Sequence, residues 1–162
     1  MMNPVCPSPT EALAIADVVL RTRYPEASFA YVAGSIMRGQ GTYLSDIDLV
    51  VVYDHLDAAR RESFVVQGVP VEVFVHDRET LAWFINEDVI RGRPSILNMI
   101  VEGTVIGHVS DLAQRLREDV ADRLAKGPAP LLSNALPRLS THWASQIRAV
   151  AISVVARLLP PW

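Results

Sequence analysis

The stretch Asp46-Ile47-Asp48-Leu49-Val50-Val51-Val52-Tyr53 constrains this chain more than any other. Its first half alternates charged and apolar residues, and its second half is apolar on both faces. A strand that ends this way must be covered on both sides, as the central strand of a sheet is. Successive strand side chains point to opposite faces, so Asp46 and Asp48 share one face while Ile47 and Leu49 share the other. The result is two carboxylates, ~7 Å apart, at one end of a buried strand. Like charges at that spacing penalise double ionisation. A hard divalent cation relieves the conflict, and Mg²⁺ suits such oxygen ligands because it completes its shell with water and phosphate.

The rest of the chain supplies the layers this strand needs. Ser8-Pro9-Thr10-Glu11 reads as a capping box with proline at the first helical position, and Leu13, Ala16, Val19 and Leu20 continue at helical spacing to about Arg23. Ala27 to Ala33 is a strand ending at Gly34. Ser63–Gln67 and Val69–His76 read as a hairpin turning near Gly68. Asp77 caps a helix bearing Leu81, Phe84 and Ile85. Ser95–Val101 is a further helix interrupted by Gly103, and Ser110 or Asp111 opens another with Leu112, Leu116, Val120 and Leu124 at i, i+4 spacing. The order is helix, strand, strand, strand pair, then helices. That implies α+β architecture, a mixed β-sheet flanked by helices, with C-terminal helices.

Composition excludes several classes. Half the residues are apolar and a fifth charged, which supports a buried core and rules out a disordered tail, a collagen-like fibre or a linker. One cysteine, Cys6, rules out a disulfide framework and a zinc ribbon, and the four histidines lack metal-ligand spacing. A net charge of −3 argues against a basic nucleic-acid clamp, so no templated nucleic acid is expected. No targeting segment is evident, and the apolar run Ala149–Ala156 is too short to span a bilayer, so the expected location is cytoplasmic with no membrane partner. All the acids lie at or before Asp122, and Lys126-Gly127-Pro128-Ala129-Pro130 breaks the helical pattern. The expected division is therefore residues 1–126 as one domain and 127–162 as a helical extension, a truncated or altered helical domain.

Around the carboxylate pair a larger constellation is visible. Gly34-Ser35 closes one strand, and ten residues separate it from Asp46-Ile47-Asp48. On Val71-Glu72-Val73-Phe74-Val75 the valines share one face, which puts Glu72 on the other. If that strand lies beside the Asp46/Asp48 strand, Glu72 joins the cluster. Two metals held by three carboxylates can clamp both oxygens of an in-line displacement, and Glu72 is placed to orient or deprotonate an acceptor hydroxyl. The Gly34-Ser35 turn offers N–H groups and a hydroxyl to phosphate, with a short helix expected behind it. Arg38 could neutralise a triphosphate. Rival motifs fail: Gly39-Gln40-Gly41 precedes a strand rather than a helix, and the chain has no Gly-Lys-Ser/Thr.

This pattern of Gly-Ser, ten residues, Asp-x-Asp and a later strand carboxylate resembles the nucleotidyltransferase superfamily of DNA polymerase beta. Within it the chain looks like the small prokaryotic nucleotidyltransferase-domain proteins, a group that includes aminoglycoside nucleotidyltransferases and minimal nucleotidyltransferase antitoxins. The resemblance implies two Mg²⁺ ions and transfer of a nucleoside monophosphate, AMP from ATP, to a hydroxyl acceptor with release of pyrophosphate. Carried over, Asp46, Asp48 and Glu72 are the catalytic metal ligands, Gly34 and Ser35 the phosphate-binding turn, and Arg38 and Ser45 its supports in nucleotide binding. The third carboxylate is often Asp in the family and is Glu here. Two alternatives stand beside this reading: an antitoxin-type protein adenylyltransferase modifying a partner toxin, and a non-catalytic nucleotide-binding remnant of a larger transferase. The acceptor is a small molecule or a protein, with room for a homodimer or a helical partner protein.

Other residues have plainer readings. Trp83, Phe84 and Ile85 read as core of a helix on the sheet, His76 as a strand end beside the cap Asp77, and Cys6 as a loop residue.

Overall fold

Why the central strand is apolar on both faces is plain from its neighbours in the computed structural model, which describes residues 5–108 and 110–127. The chain runs α1 (Pro9–Arg23), β1 (Phe29–Ala33), β2 (Ile47–Tyr53), β3 (Arg60–Val66), β4 (Val69–Asp77), α2 (Arg78–Arg91), α3 (Ser95–Glu102), β5 (Thr104–Gly107) and α4 (Ser110–Lys126). The five strands form one sheet in the order β3-β4-β2-β1-β5, with β2 at its centre. Only β2 and β4 run parallel; the other pairings are antiparallel. The fold is α+β with a mixed sheet, as the sequence pattern implies.

Each face of the sheet buries its own core. On one side α1 packs Ile15, Ala16 and Val19 against Ala30, Val32, Leu49, Val51, Val71, Val73 and Val75. On the other, α2, α3 and α4 bring Leu81, Ile85, Leu97, Ile100 and Leu116 onto Phe29, Tyr31, Val50 and Val52. Burying each large aliphatic side chain stabilises the fold by ~1.5–3 kcal/mol. Helix α1 starts where the capping box demands: the Glu11 N–H donates to Ser8 Oγ at 3.2 Å, and the Ser8 N–H donates to the Glu11 carboxylate at 2.7 Å. Asp77 caps α2 by accepting from the Thr80 N–H at 2.9 Å, and its other oxygen accepts from the Leu56 N–H at 3.0 Å.

The structure corrects four expectations. Strand β5 was absent from the sequence reading; it is four residues long, bounded by glycines, and exists because it pairs antiparallel with β1. Strand β3 begins at Arg60 rather than Ser63. No helix follows Gly34-Ser35: residues 35–39 are turns, tied by the Gln40 N–H donating to the Ser35 carbonyl at 2.9 Å. Of the three residues assigned to the α2 core, Ile85 is buried but Phe84 is 39% exposed. The expected C-terminal extension, from residue 128 on, lies outside the described residues, as does the apolar run Ala149–Ala156. No helix among the described residues is long and apolar enough to cross a membrane.

Candidate functional site

The pairing register draws the acidic residues together. In the parallel β2–β4 pair, Asp48 stands opposite Glu72, Val50 opposite Phe74 and Val52 opposite His76. Alternation along β4 therefore sends Val71, Val73 and Val75 into the α1 core and turns Glu72 to the face that carries Asp48. Asp46, one residue before β2, completes the cluster. Carboxylate oxygens of Asp46, Asp48 and Glu72 all lie within 4.8 Å of one another, and each residue is half-buried.

On the opposite side of Asp48 from Glu72 lies the Gly34-Ser35 turn, because β1 ends with Ala33 paired to Asp48. Gly34 has φ +103°, and a Cβ there would come 2.9 Å from Asp48 Oδ2. Both facts call for glycine, which alone tolerates this backbone and leaves the carboxylate accessible beside the main chain. Ser35 is held by Ser45: their hydroxyls are 2.9 Å apart, and Ser45 Oγ also accepts from the Thr42 N–H at 2.9 Å.

A family model of the nucleotidyltransferase domain matches residues 18–105. The chain belongs to this family. No curated protein matches it. Among solved structures it is similar to a nucleotidyltransferase-like protein from Exiguobacterium sibiricum, with 13% identity and a TM-score of 0.51. That match covers 68% of this chain and 38% of the other protein. At such identity the likeness concerns the fold, and the present chain spans well under half the length of that relative.

Within this nucleotidyltransferase domain the acidic cluster is electrostatically frustrated. Burial, then the charges of Asp46 and Glu72, push the Asp48 carboxyl up from 3.8 to about 6, against the opposing pull of Arg38 and Arg61. Hard oxygen donors, mutual repulsion and convergence on one point fit a divalent cation, whose charge would offset all three. Asp46, Asp48 and Glu72 form the one such group among the described residues.

The supporting residues divide. Ser45 braces Ser35, as described. Arg38 sits close enough to Asp48 to pull its pKa down, yet its guanidinium bonds to Glu102 at 3.1 Å, and both partners are about half exposed. An ion pair that open to water is weak, so Arg38 is free to exchange partners.

Arg61 escaped the sequence reading. Its guanidinium bonds to Glu72, with Nε 2.6 Å from Oε1, and lies 5.2 Å from the Phe74 ring centroid. The signal was present in the hairpin. Gln67 and Gly68 both have positive φ, the signature of a two-residue hairpin turn, which sets Val66 opposite Val69. Counting back places Ser63 opposite Glu72 and Arg61 opposite Phe74. His76 is buried on the same face, and that burial pushes its pKa down from 6.5 to about 4 despite the neighbouring charge of Asp77. It is neutral at pH 7 and lies 3.3 Å from the Thr80 hydroxyl.

Proposed function

We propose that this chain is a Mg²⁺-dependent nucleotidyltransferase that moves AMP from ATP to a hydroxyl acceptor and releases pyrophosphate. The observation that carries the reading is the convergence of Asp46, Asp48 and Glu72 beside the Gly34-Ser35 turn. Membership of the nucleotidyltransferase family supports it. The choice of ATP rests on the family resemblance.

In this reading Asp46, Asp48 and Glu72 hold two Mg²⁺ ions. Bound there, the ions would supply charge neutralisation at the transferring phosphoryl group and at its attacking and leaving oxygens. The chain's own residues do the rest. Gly34 lets the β- and γ-phosphates approach the backbone closely, and Ser35 presents its N–H and hydroxyl to them. Ser45 holds that hydroxyl in place. Arg38, loosely held by Glu102, turns to the triphosphate. The acceptor hydroxyl oxygen bonds to the α-phosphorus as the bond to the bridging oxygen breaks. Pyrophosphate leaves with that electron pair, and the hydroxyl proton passes to Glu72.

The test is thermal unfolding of the full chain with ATP, GTP, CTP or UTP, with and without Mg²⁺, for wild type and Asp48→Asn. Binding to the native state at a hundredfold excess over Kd stabilises by ~2.7 kcal/mol. The expected result is a shift with ATP that requires Mg²⁺ and is absent in Asp48→Asn. No shift with any nucleotide overturns catalysis by this chain. A shift with no pyrophosphate release against any acceptor leaves nucleotide binding without transfer.

A further inference from the structure

A cleft of about 510 Å³ opens on the face of the sheet that carries the three acids. Phe74 and His76 of β4 and Arg61 of β3 line it from the sheet, and Phe84 of α2 with Ile96 and Met99 of α3 line it from the helices. Phe74 lies two residues beyond Glu72 on the same face of β4, so the cleft starts ~7 Å from that carboxylate. Arg61 touches both, bonding to Glu72 and lying over Phe74. A cavity of this size, mostly apolar with a few directed polar groups, has the character of a small-molecule site.

Its position relative to the reaction axis gives it a role. Across the sheet the order is the Gly34 turn at the end of β1, Asp48 on β2, Glu72 on β4 and Arg61 on β3. With the triphosphate at Gly34-Ser35, pyrophosphate leaves toward β1. In-line displacement requires the nucleophile to arrive from the opposite side, past Glu72, where the cleft lies. We propose that this cleft is the acceptor subsite, and that the acceptor is a small neutral or anionic molecule carrying its hydroxyl on a flat, largely apolar ring system. This inference rests on the nucleotidyl-transfer reading and deepens it.

The lining argues for that class of acceptor. Phe84 stands edge-on to His76 with ring centroids 4.9 Å apart, yet it is 39% exposed, so an apolar ring faces open space in the cleft. Phe74 offers a second ring to a flat ligand. The carboxylate in the lining, Asp88, is occupied in accepting from the Ile96 N–H at 2.7 Å. Arg61 brings a guanidinium that is bonded to Glu72, whereas the guanidinium of Arg60 is turned to Glu62 on the other face of the sheet. A polycationic acceptor would meet apolar walls, the Arg61 guanidinium and no unengaged acid in the lining, whereas a neutral or anionic ring compound meets no such penalty.

Calorimetric titration of the full chain with 2-naphthol and with the polycationic amino sugar neamine tests the inference, alongside the Mg²⁺–ATP thermal shift. The variants are Phe84→Glu, which puts charge in the apolar wall, and Ser95→Trp, which fills the cleft from an exposed position. The expected result is 2-naphthol binding with Kd below ~1 mM, weakened at least about tenfold in both variants, with the Mg²⁺–ATP shift retained and no neamine binding. Three results overturn the assignment: 2-naphthol binding that both variants leave unchanged, tighter binding of neamine, or loss of the Mg²⁺–ATP shift in both variants. A wild type with the nucleotide shift but no 2-naphthol binding fails the acceptor assignment alone. A wild type that binds 2-naphthol but shows no nucleotide shift fails the transfer reading, and the acceptor role with it.

Discussion

The two faces of β4 are built from alternate residues of one short segment, and they do different work. Val71, Val73 and Val75 enter an apolar core against α1, edged by the Glu62–Arg60 pair of β3, where the main requirement is close packing. Glu72, Phe74 and His76 face the other way, toward a surface where α2, α3 and α4 cover most of the sheet but leave the end near Asp48 open. On the first face apolar packing favours the folded state. On the second, three carboxylates crowd together and a histidine is buried neutral, both of which cost stability. The contrast teaches that the chain spends stability on one face to hold chemistry there, and the α1 face offsets the cost.

The largest test of that contrast is Asp48→Asn. Nucleotidyl transfer should fall by about 10³-fold or more, as removal of a charge-stabilising group at a reacting centre does, read as pyrophosphate release. The metal-free protein should become more stable, because the substitution removes a carboxylate that burial and its neighbours disfavour. An Asp48→Asn protein that is less stable than wild type without metal would break the comparison. Next in size, Leu49→Ala in the α1 core should cost ~2–5 kcal/mol in denaturant unfolding, with the nucleotide site spared in the folded fraction. Glu72→Gln, on the opposite face of the sheet from that core, should cost far less stability and far more activity.

The dependence of stability on pH sharpens the same comparison. Asp48 holds its proton in the folded state up to about pH 6, while the unfolded chain loses it near 3.8. Its contribution to stability therefore falls as pH rises through that window. His76 has the opposite sign. It resists protonation until about pH 4 in the folded state but gains a proton near 6.5 when unfolded, so its contribution is complete above 6.5 and is lost as pH falls toward 4. In wild type the two slopes oppose between about pH 4 and 6. In Asp48→Asn the opposing Asp48 slope is gone, and denaturant midpoints measured from pH 4 to 7 should rise more steeply with pH than in wild type. The smallest effect is expected for Arg38→Gln. Its half-exposed pair with Glu102 should be worth ~0–1 kcal/mol, so a lowered affinity for ATP with little change in unfolding is the expected signature.

Much of this molecule was legible from residue order. The capping box at Ser8, the helix cap at Asp77, the apolar second half of β2 and the alternation of β4 are local signals that the folded chain obeys. What escaped was non-local or too short to carry a period. Strand β5 has four residues, and its partner β1 is far away in sequence, so nothing local marks it as a strand. Residues 35–39 follow a strand-end glycine where a short helix is expected, but they are held as turns by a Ser35–Gln40 backbone bond and the positive φ of Gly34. Phe84 falls on a helical apolar spacing, and only the opening between α2 and the sheet leaves it uncovered.

Residue order by itself determined which side chains share a face, because alternation along a strand is a property of the backbone. It thereby separated Glu72 from its flanking valines and gave Asp46 and Asp48 a common side. It did not determine that β4 lies beside β2, in parallel and with Asp48 opposite Glu72, nor that Arg61 stands at the edge of the cluster and an apolar cleft opens past it. Those were decided by the tertiary structure, since strand partners and register follow from the packing of two cores at once. A one-residue slip would turn the valines outward and scatter the acids.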